Sequence, residues 1–147
     1  MISSDEVDAI DMNEAITLSV TVDRPWRSLY EAFWRPEAFP AWASGLSQSE
    51  WVEQAGRWLA KGPGGSVLIR FTDHNPYGVM DHWVELASGD VVYVPLRVIA
   101  NGPGAEVQLT LFRQPGMDEA TFERDADWVR QDLLALKRLA ETAISSG

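Results

Sequence analysis

The chain of 147 residues contains no cysteine, which excludes disulfides, thiol catalysis and thiolate metal sites. It has only two histidines, His74 and His82. Their carboxylate neighbours, Asp73 and Asp81, are adjacent to them in strand-like runs and so point to opposite faces. Zinc requires three or four convergent ligands, so neither a metal site nor a cofactor is expected. No run of Lys and Arg exists, and 12 basic against 22 acidic residues leave a net charge of −10. That excess repels phosphate backbones and anionic membrane surfaces, which argues against a nucleic-acid partner. No apolar run approaches the ~18 residues of a membrane span, so no membrane insertion is expected. The first residues are acidic, without a basic start or an apolar core, and do not read as a signal peptide. A cytoplasmic location is the expectation, and the length suits one domain.

Large aromatics are abundant by contrast, with seven Trp. Aromatics at that density fill a bulky core or line an apolar pocket. Residues 1–13 carry Asp5, Glu6, Asp8 and Asp11 and few apolar anchors, and read as a flexible acidic tail ahead of one domain over 14–147. Ile16, Leu18, Val20 and Val22 alternate with Thr17, Ser19 and Thr21, the period of a half-buried strand. Asp23 or Arg24 then stands where a helix cap belongs, and Pro25 suits the first turn. Trp26, Leu29, Tyr30, Phe33 and Trp34 recur at helical spacing until Pro36. A second short helical piece, Glu37 to Ala43, contains Pro40 and is at most a turn or two.

From residue 50 the pattern is that of strands: 50–55, 57–61, 67–72, 79–87, 91–100 and 107–113. Gly56, Gly62-Pro63-Gly64-Gly65, Asn75-Pro76-Tyr77-Gly78, Ser88-Gly89-Asp90 and Asn101-Gly102-Pro103-Gly104 separate them, so the run reads as an antiparallel meander. Gly62 to Gly65 is not a phosphate loop, because it lacks the Lys-Ser/Thr that would follow and opens a strand. From Asp118, a suitable cap, Phe122, Ala126, Val129, Leu133, Leu136, Ala140 and Ala143 step by 4, 3, 4, 3, 4 and 3, which is one face of a long helix. A lone helix with so continuous a stripe needs a sheet to bury it.

The segments ITLSVTVDRPWRSLYEAFWRPEAFPAW, GPGGSVLIRFTDHNPYGVMDHWVEL and FERDADWVRQDLLALKRLAE, in that order, resemble the START/Bet v 1-like (SRPBCC) superfamily over residues 14–144. Its bacterial members include proteins labelled polyketide cyclase/dehydrase and lipid-transport-like. The resemblance implies an α+β helix-grip fold: a curved antiparallel sheet of about seven strands wrapped around the long C-terminal helix, with two short helices after the first strand. It also implies an apolar cavity between sheet and helix. Such proteins bind lipids, sterols, polyketides or aromatic compounds, and the superfamily has no universal catalytic motif, so activity does not follow from the fold.

Period two places Met80, His82, Val84 and Leu86 on the inner face of 79–87, with Asp81, Trp83 and Glu85 outside. It likewise places Val67, Ile69, Phe71 and Asp73 inside on the preceding strand. An inner Asp73–His82 pair could act as a general base, the carboxylate orienting the imidazole, or each could simply satisfy nearby backbone. Phe71 and Met80 line the cavity on this reading, Trp58 joins them from its own strand, and Leu133 and Leu136 face it from the long helix. Trp34 and Trp42 belong to the helices that brace its open end, either as core or as its mouth. Arg97 lies outside if Val92, Val94, Leu96 and Val98 face in, but a bulge near Pro95 would turn it inward to clamp an anionic ligand. Three functions follow: binding or carriage of a small hydrophobic or aromatic molecule; a cyclase or dehydratase using His82 and Asp73; or a chaperone-cofactor-like interaction protein. The third requires a filled cavity and an exposed apolar patch.

Overall fold

The computed structural model describes residues 12–44, 50–62 and 65–145. Most of the expected acidic tail therefore lies outside the described residues; Met12 and Asn13 are exposed. Strand β1 (Ala15–Val22) leads into helix α1 (Trp26–Phe33) and a 3-10 helix (Pro36–Ala41). Strands β2 (Val52–Gln54), β3 (Arg57–Gly62), β4 (Gly65–Phe71), β5 (His82–Glu85), β6 (Val91–Val94), β7 (Leu96–Asn101) and β8 (Gly104–Phe112) follow, and helix α2 (Glu119–Ser145) closes the chain. All paired strands are antiparallel, as the meander requires. Among the described residues no helix is long and apolar enough to cross a membrane.

Local chemistry explains most boundaries. Ala55 (φ 52°) and Gly56 (φ 82°) form the two-residue left-handed turn that joins β2 to β3. The Asp118 carboxylate accepts the Thr121 N–H at 2.8 Å and caps α2. Helix α1 departs from expectation: its cap position is Pro25, with no side-chain bond. The Asp23 N–H instead donates to Glu141 at 2.8 Å, and the Arg24 side chain bonds Ser28, so both residues tie β1 and α1 to their surroundings rather than capping.

The expected strand 91–100 is two strands, and the physical reason is Pro95. It has no N–H to donate, and the ladder changes partner there: β6 pairs with β5, β7 with β8. The result is two sheets, β1–β8–β7 and β2–β3–β4–β5–β6, in place of one continuous sheet of seven. The expected strand 79–87 shrinks to β5 for the matching reason. Residues 78–81 pair backward with β7 (Met80 N–H to Leu96 O, 2.8 Å; Val98 N–H to Gly78 O, 2.9 Å), and only from His82 does the chain join β6. Gly78, at φ 74°, permits this approach, since a Cβ there would run into the Val98 carbonyl oxygen.

Asp81 closes the seam between the sheets. Its carbonyl accepts the N–H and hydroxyl of Thr72, at 3.1 and 2.6 Å. Its buried carboxylate accepts the Leu96 N–H (2.9 Å), the Tyr93 hydroxyl (2.6 Å) and two Arg97 nitrogens (2.9 and 2.8 Å). Burial pushes the acid up in pKa, but the bonds from Arg97, Tyr93 and Leu96 outweigh it and hold Asp81 below the usual carboxylate range. Its stabilisation is therefore present at neutral pH and is lost as pH falls below about 4.

The core lies between the three-stranded sheet and the helices. Leu18, Val22, Leu96, Val98, Val107 and Leu109 are buried against Leu29 and Tyr30 of α1 and Ala126, Leu133, Leu136 and Ala140 of α2. The predicted α2 stripe is borne out from Phe122 to Ala140, with Val129 half-buried.

Asp81→Ala should destabilise the protein by about 3 kcal/mol, the low end for a broken buried pair because Arg97 is half-exposed and can be solvated. Urea denaturation of this variant beside Arg97→Lys, expected to lose about 1 kcal/mol, measures it. A loss below 0.5 kcal/mol, the level of an ordinary surface change, would show that the seam does not depend on Asp81.

Candidate functional site

The inner faces of the two sheets are covered to different degrees. Trp58, Val67, Phe71, Val84, Val92 and Val94 face inward on the five-stranded sheet, and all are only partly buried; on that face Ala60, Ile69 and His82 are buried. The main core cluster takes no residue from β2, β3, β4 or β5. Helix α2 packs on β1 and β8. One half of the concave surface is gripped, and the other is an apolar, aromatic face partly open to solvent.

Aromatic rings assemble on that face. Phe71 contacts Phe39 (5.2 Å between ring centres), Trp51 (6.0 Å) and His82 (5.6 Å). Trp51 stacks on Trp58 at 5.2 Å, and its indole N–H donates to the Pro36 carbonyl, fixing it under the 3-10 helix. Phe39 meets the His82 ring edge-on at 5.2 Å and Trp42 at 5.1 Å. At the bottom lies a small cavity of about 10 Å³, bordered by Phe33, Trp34, Phe39, Phe71, Met80, His82 and Leu96, with Thr72 and Arg35 at its rim. That is room for about one water or one hydroxyl group.

His82 is buried at the first position of β5. Burial pulls its pKa down from 6.5 to about 4, only partly opposed by the Met80 bond and by Asp81, so the ring is neutral at physiological pH. Nδ1 lies 3.3 Å from the Met80 carbonyl oxygen. A carbonyl only accepts, so Nδ1 carries the proton and Nε2 is a bare acceptor.

The remaining sequence candidates sort as follows. Trp34, Phe71, Met80 and His82 border the cavity, and Trp58 stands on the aromatic face. Trp42, Leu133 and Leu136 are buried in the main core. Asp73 lies beyond the end of β4, exposed, where its carbonyl receives the Asn75 side-chain amide. No bond joins it to His82 among the described residues: β4 stops pairing at Phe71, so the alternation that would have turned Asp73 inward ends before reaching it. Arg97 is on the outer face, between the inward Leu96 and Val98, because the break at Pro95 leaves the inward phase from Val92 to Val98 unshifted. It is held bidentately by Asp81 and does not clamp a ligand inside.

Sequence reasoning missed Trp51 as a wall of the site and Asp81 as a buried group. A signal for Asp81 was present, since period two puts Asp81, Tyr93 and Arg97 on one face. Another tie lies at the mouth. Asp132 of α2 accepts the Ser44 N–H and hydroxyl at 3.2 and 2.7 Å, and Trp128 donates to the Ser44 oxygen at 2.7 Å. Among the described residues no three metal-binding side chains gather.

A neutral buried histidine makes stability depend on pH in a defined window. The unfolded chain takes up a proton near pH 6.5 while the folded chain resists until about 4, so stability falls as pH drops between those values. The contribution is on the order of 3 kcal/mol, and His82→Leu should abolish it. Urea denaturation at pH 7, 5.5 and 4 reads the difference between the two proteins. A difference independent of pH would mean that His82 is solvated.

No protein-family model and no curated protein matches the sequence. Solved structures do match in shape. Ara h 8.0201 aligns with a TM-score of 0.61 at 15% identity, covering 86% of this chain and 97% of its own. The Aha1 dimer structure from Colwellia psychrerythraea gives 0.66 at 13% identity, covering 87% and 96%. DynU16, of the dynemicin biosynthetic locus, gives 0.65 at 17% identity, covering 89% of this chain and 48% of that one. At these identities the likeness concerns the fold. With its antiparallel strands, its two short helices after β1 and its long closing helix, the chain has the START/Bet v 1-like helix-grip fold.

Proposed function

We propose that the protein binds one small hydrophobic or aromatic molecule on the concave face of the five-stranded sheet, around Phe39, Trp58, Phe71 and His82. The observation that carries this is a contrast of degree between the two inner faces: most inward residues of the three-stranded sheet are buried in the main core, while most of those on the five-stranded sheet, Trp58 and Phe71 included, are only partly buried. Exposed apolar surface that the fold could have covered forgoes hydrophobic stabilisation of ~25 cal/mol per Å². A bound apolar molecule would recover it. The small cavity is too narrow for a whole ligand, so the ligand would lie along the face and seat one substituent in the pit.

Carriage or binding is favoured over acid–base catalysis at this site. His82 is neutral and could accept a proton, but Asp73 does not orient it, and its sequence neighbour Asp81 faces the other side of the sheet. A cyclase or dehydratase would need a second convergent group able to give or take a proton.

Titration with N-phenyl-1-naphthylamine, a neutral fluorescent probe, tests the proposal. Binding should saturate at one site per chain and quench Trp emission, since Trp51 and Trp58 form the wall. Phe71→Ala should weaken it by about tenfold, the value of one buried aromatic contact. Leu68→Ala, on the opposite face of the same strand, should leave it unchanged. Absence of saturable binding, or an equal loss in both variants, would overturn the proposal.

A further inference from the structure

Four residues with polar side chains border the cavity beneath the aromatic face, Trp34, Arg35, Thr72 and His82, and two of them keep an uncommitted polar atom. One is the indole N–H of Trp34, whose nitrogen is buried and has no acceptor among the described residues. The other is His82, whose Nδ1–H is committed to the Met80 carbonyl, leaving Nε2 as an acceptor. The Thr72 hydroxyl at the rim is already donated to Asp81. Arg35 is exposed and lays its guanidinium over the Trp34 ring at 4.9 Å. Trp42 also has a buried N–H without an acceptor among the described residues, but it does not border this cavity. A buried donor without an acceptor is costly, and native proteins retain few of them.

Resting on the binding site proposed above, we infer that the ligand carries a hydroxyl group, phenolic or alcoholic, which enters the pit, accepts the Trp34 N–H and donates to His82 Nε2. A hydroxyl is the small group that can do both. An ether or ketone oxygen would satisfy Trp34 and leave His82 unmatched. A carboxylate would set its charge against the imidazole lone pair within an apolar wall of Phe33, Phe39, Phe71, Met80 and Leu96. The pit volume of about 10 Å³ suits a single oxygen and its proton.

Isothermal titration with three probes of one shape separates the cases: naphthalene, 2-methoxynaphthalene and 2-naphthol, at pH 7.5 where 2-naphthol is neutral. 2-Naphthol should bind at least about tenfold more tightly than the other two, the effect of hydrogen bonds made in a desolvated site. In Trp34→Phe its advantage over naphthalene should shrink below about threefold. In His82→Leu its advantage over 2-methoxynaphthalene should vanish, with thermal melts confirming that both variants are folded. Equal binding of all three probes to the wild type would overturn the hydroxyl inference and leave the binding site standing. An undiminished preference in folded Trp34→Phe would also overturn it. No binding by any probe would overturn the binding site itself, and this inference with it.

Discussion

The buried carboxylate of Asp81 is the interaction on which the architecture turns. Two antiparallel sheets meet at residues 78–81, where Val79 bridges to Arg97 and Met80 bonds Leu96. Asp81 bonds Thr72 through its carbonyl, and Tyr93, Leu96 and Arg97 through its carboxylate, so one residue ties the segment leaving β4 to β6 and β7. Four donors offset the desolvation of one buried charge, an arrangement that keeps the group ionised. Because successive strand residues point to opposite faces, fixing Asp81 on the outside also fixes His82 on the inside. The seam therefore also fixes the side of the sheet on which the imidazole of the candidate site lies.

The second constraint is the reach of the helix. Helix α2 has one apolar stripe, and it is used on β1, β8 and the core beneath α1. The far side of the concave surface, where Trp51, Trp58 and Phe71 stand, is only partly covered. A domain of this size could gain stability by filling that space with larger aliphatic residues. A sequence that leaves flat aromatic rings there and buries an uncharged histidine among them departs from what stability alone favours, and such departures gather at functional sites.

Much of this was legible in the sequence because it rests on period alone. The alternation of Ile16 to Val22 and the stripe from Phe122 to Ala140 specify β1 and α2, and the glycine and asparagine turns specify the meander. The inward phase of Phe71, Met80 and His82 was legible for the same reason. Period fails where a strand stops. Asp73 lies in phase with Phe71, but the ladder has ended and the Asn75 side chain is organising a loop that bonds back to residues 73 and 79. Pro95 likewise divides an apolar run that looks continuous. Trp51 was not singled out because its placement depends on a long-range bond to Pro36, and the size of the cavity depends on how Phe33, Phe39 and Trp34 pack from elements remote in sequence.

Alternation across the strands also supplies the most direct test of where a ligand binds. Val84 and Val92 face inward, while Leu59, Leu68 and Val91 line an open groove on the outer face of the same strands. Methyl-resolved NMR of the protein titrated with a neutral aromatic probe distinguishes the two faces within single strands. The account predicts saturable shifts of the Val84 and Val92 methyls together with the His82 ring, and unmoved Leu59, Leu68 and Val91. Shifts confined to the outer leucines and Val91 would contradict it and assign the concave face to structure alone.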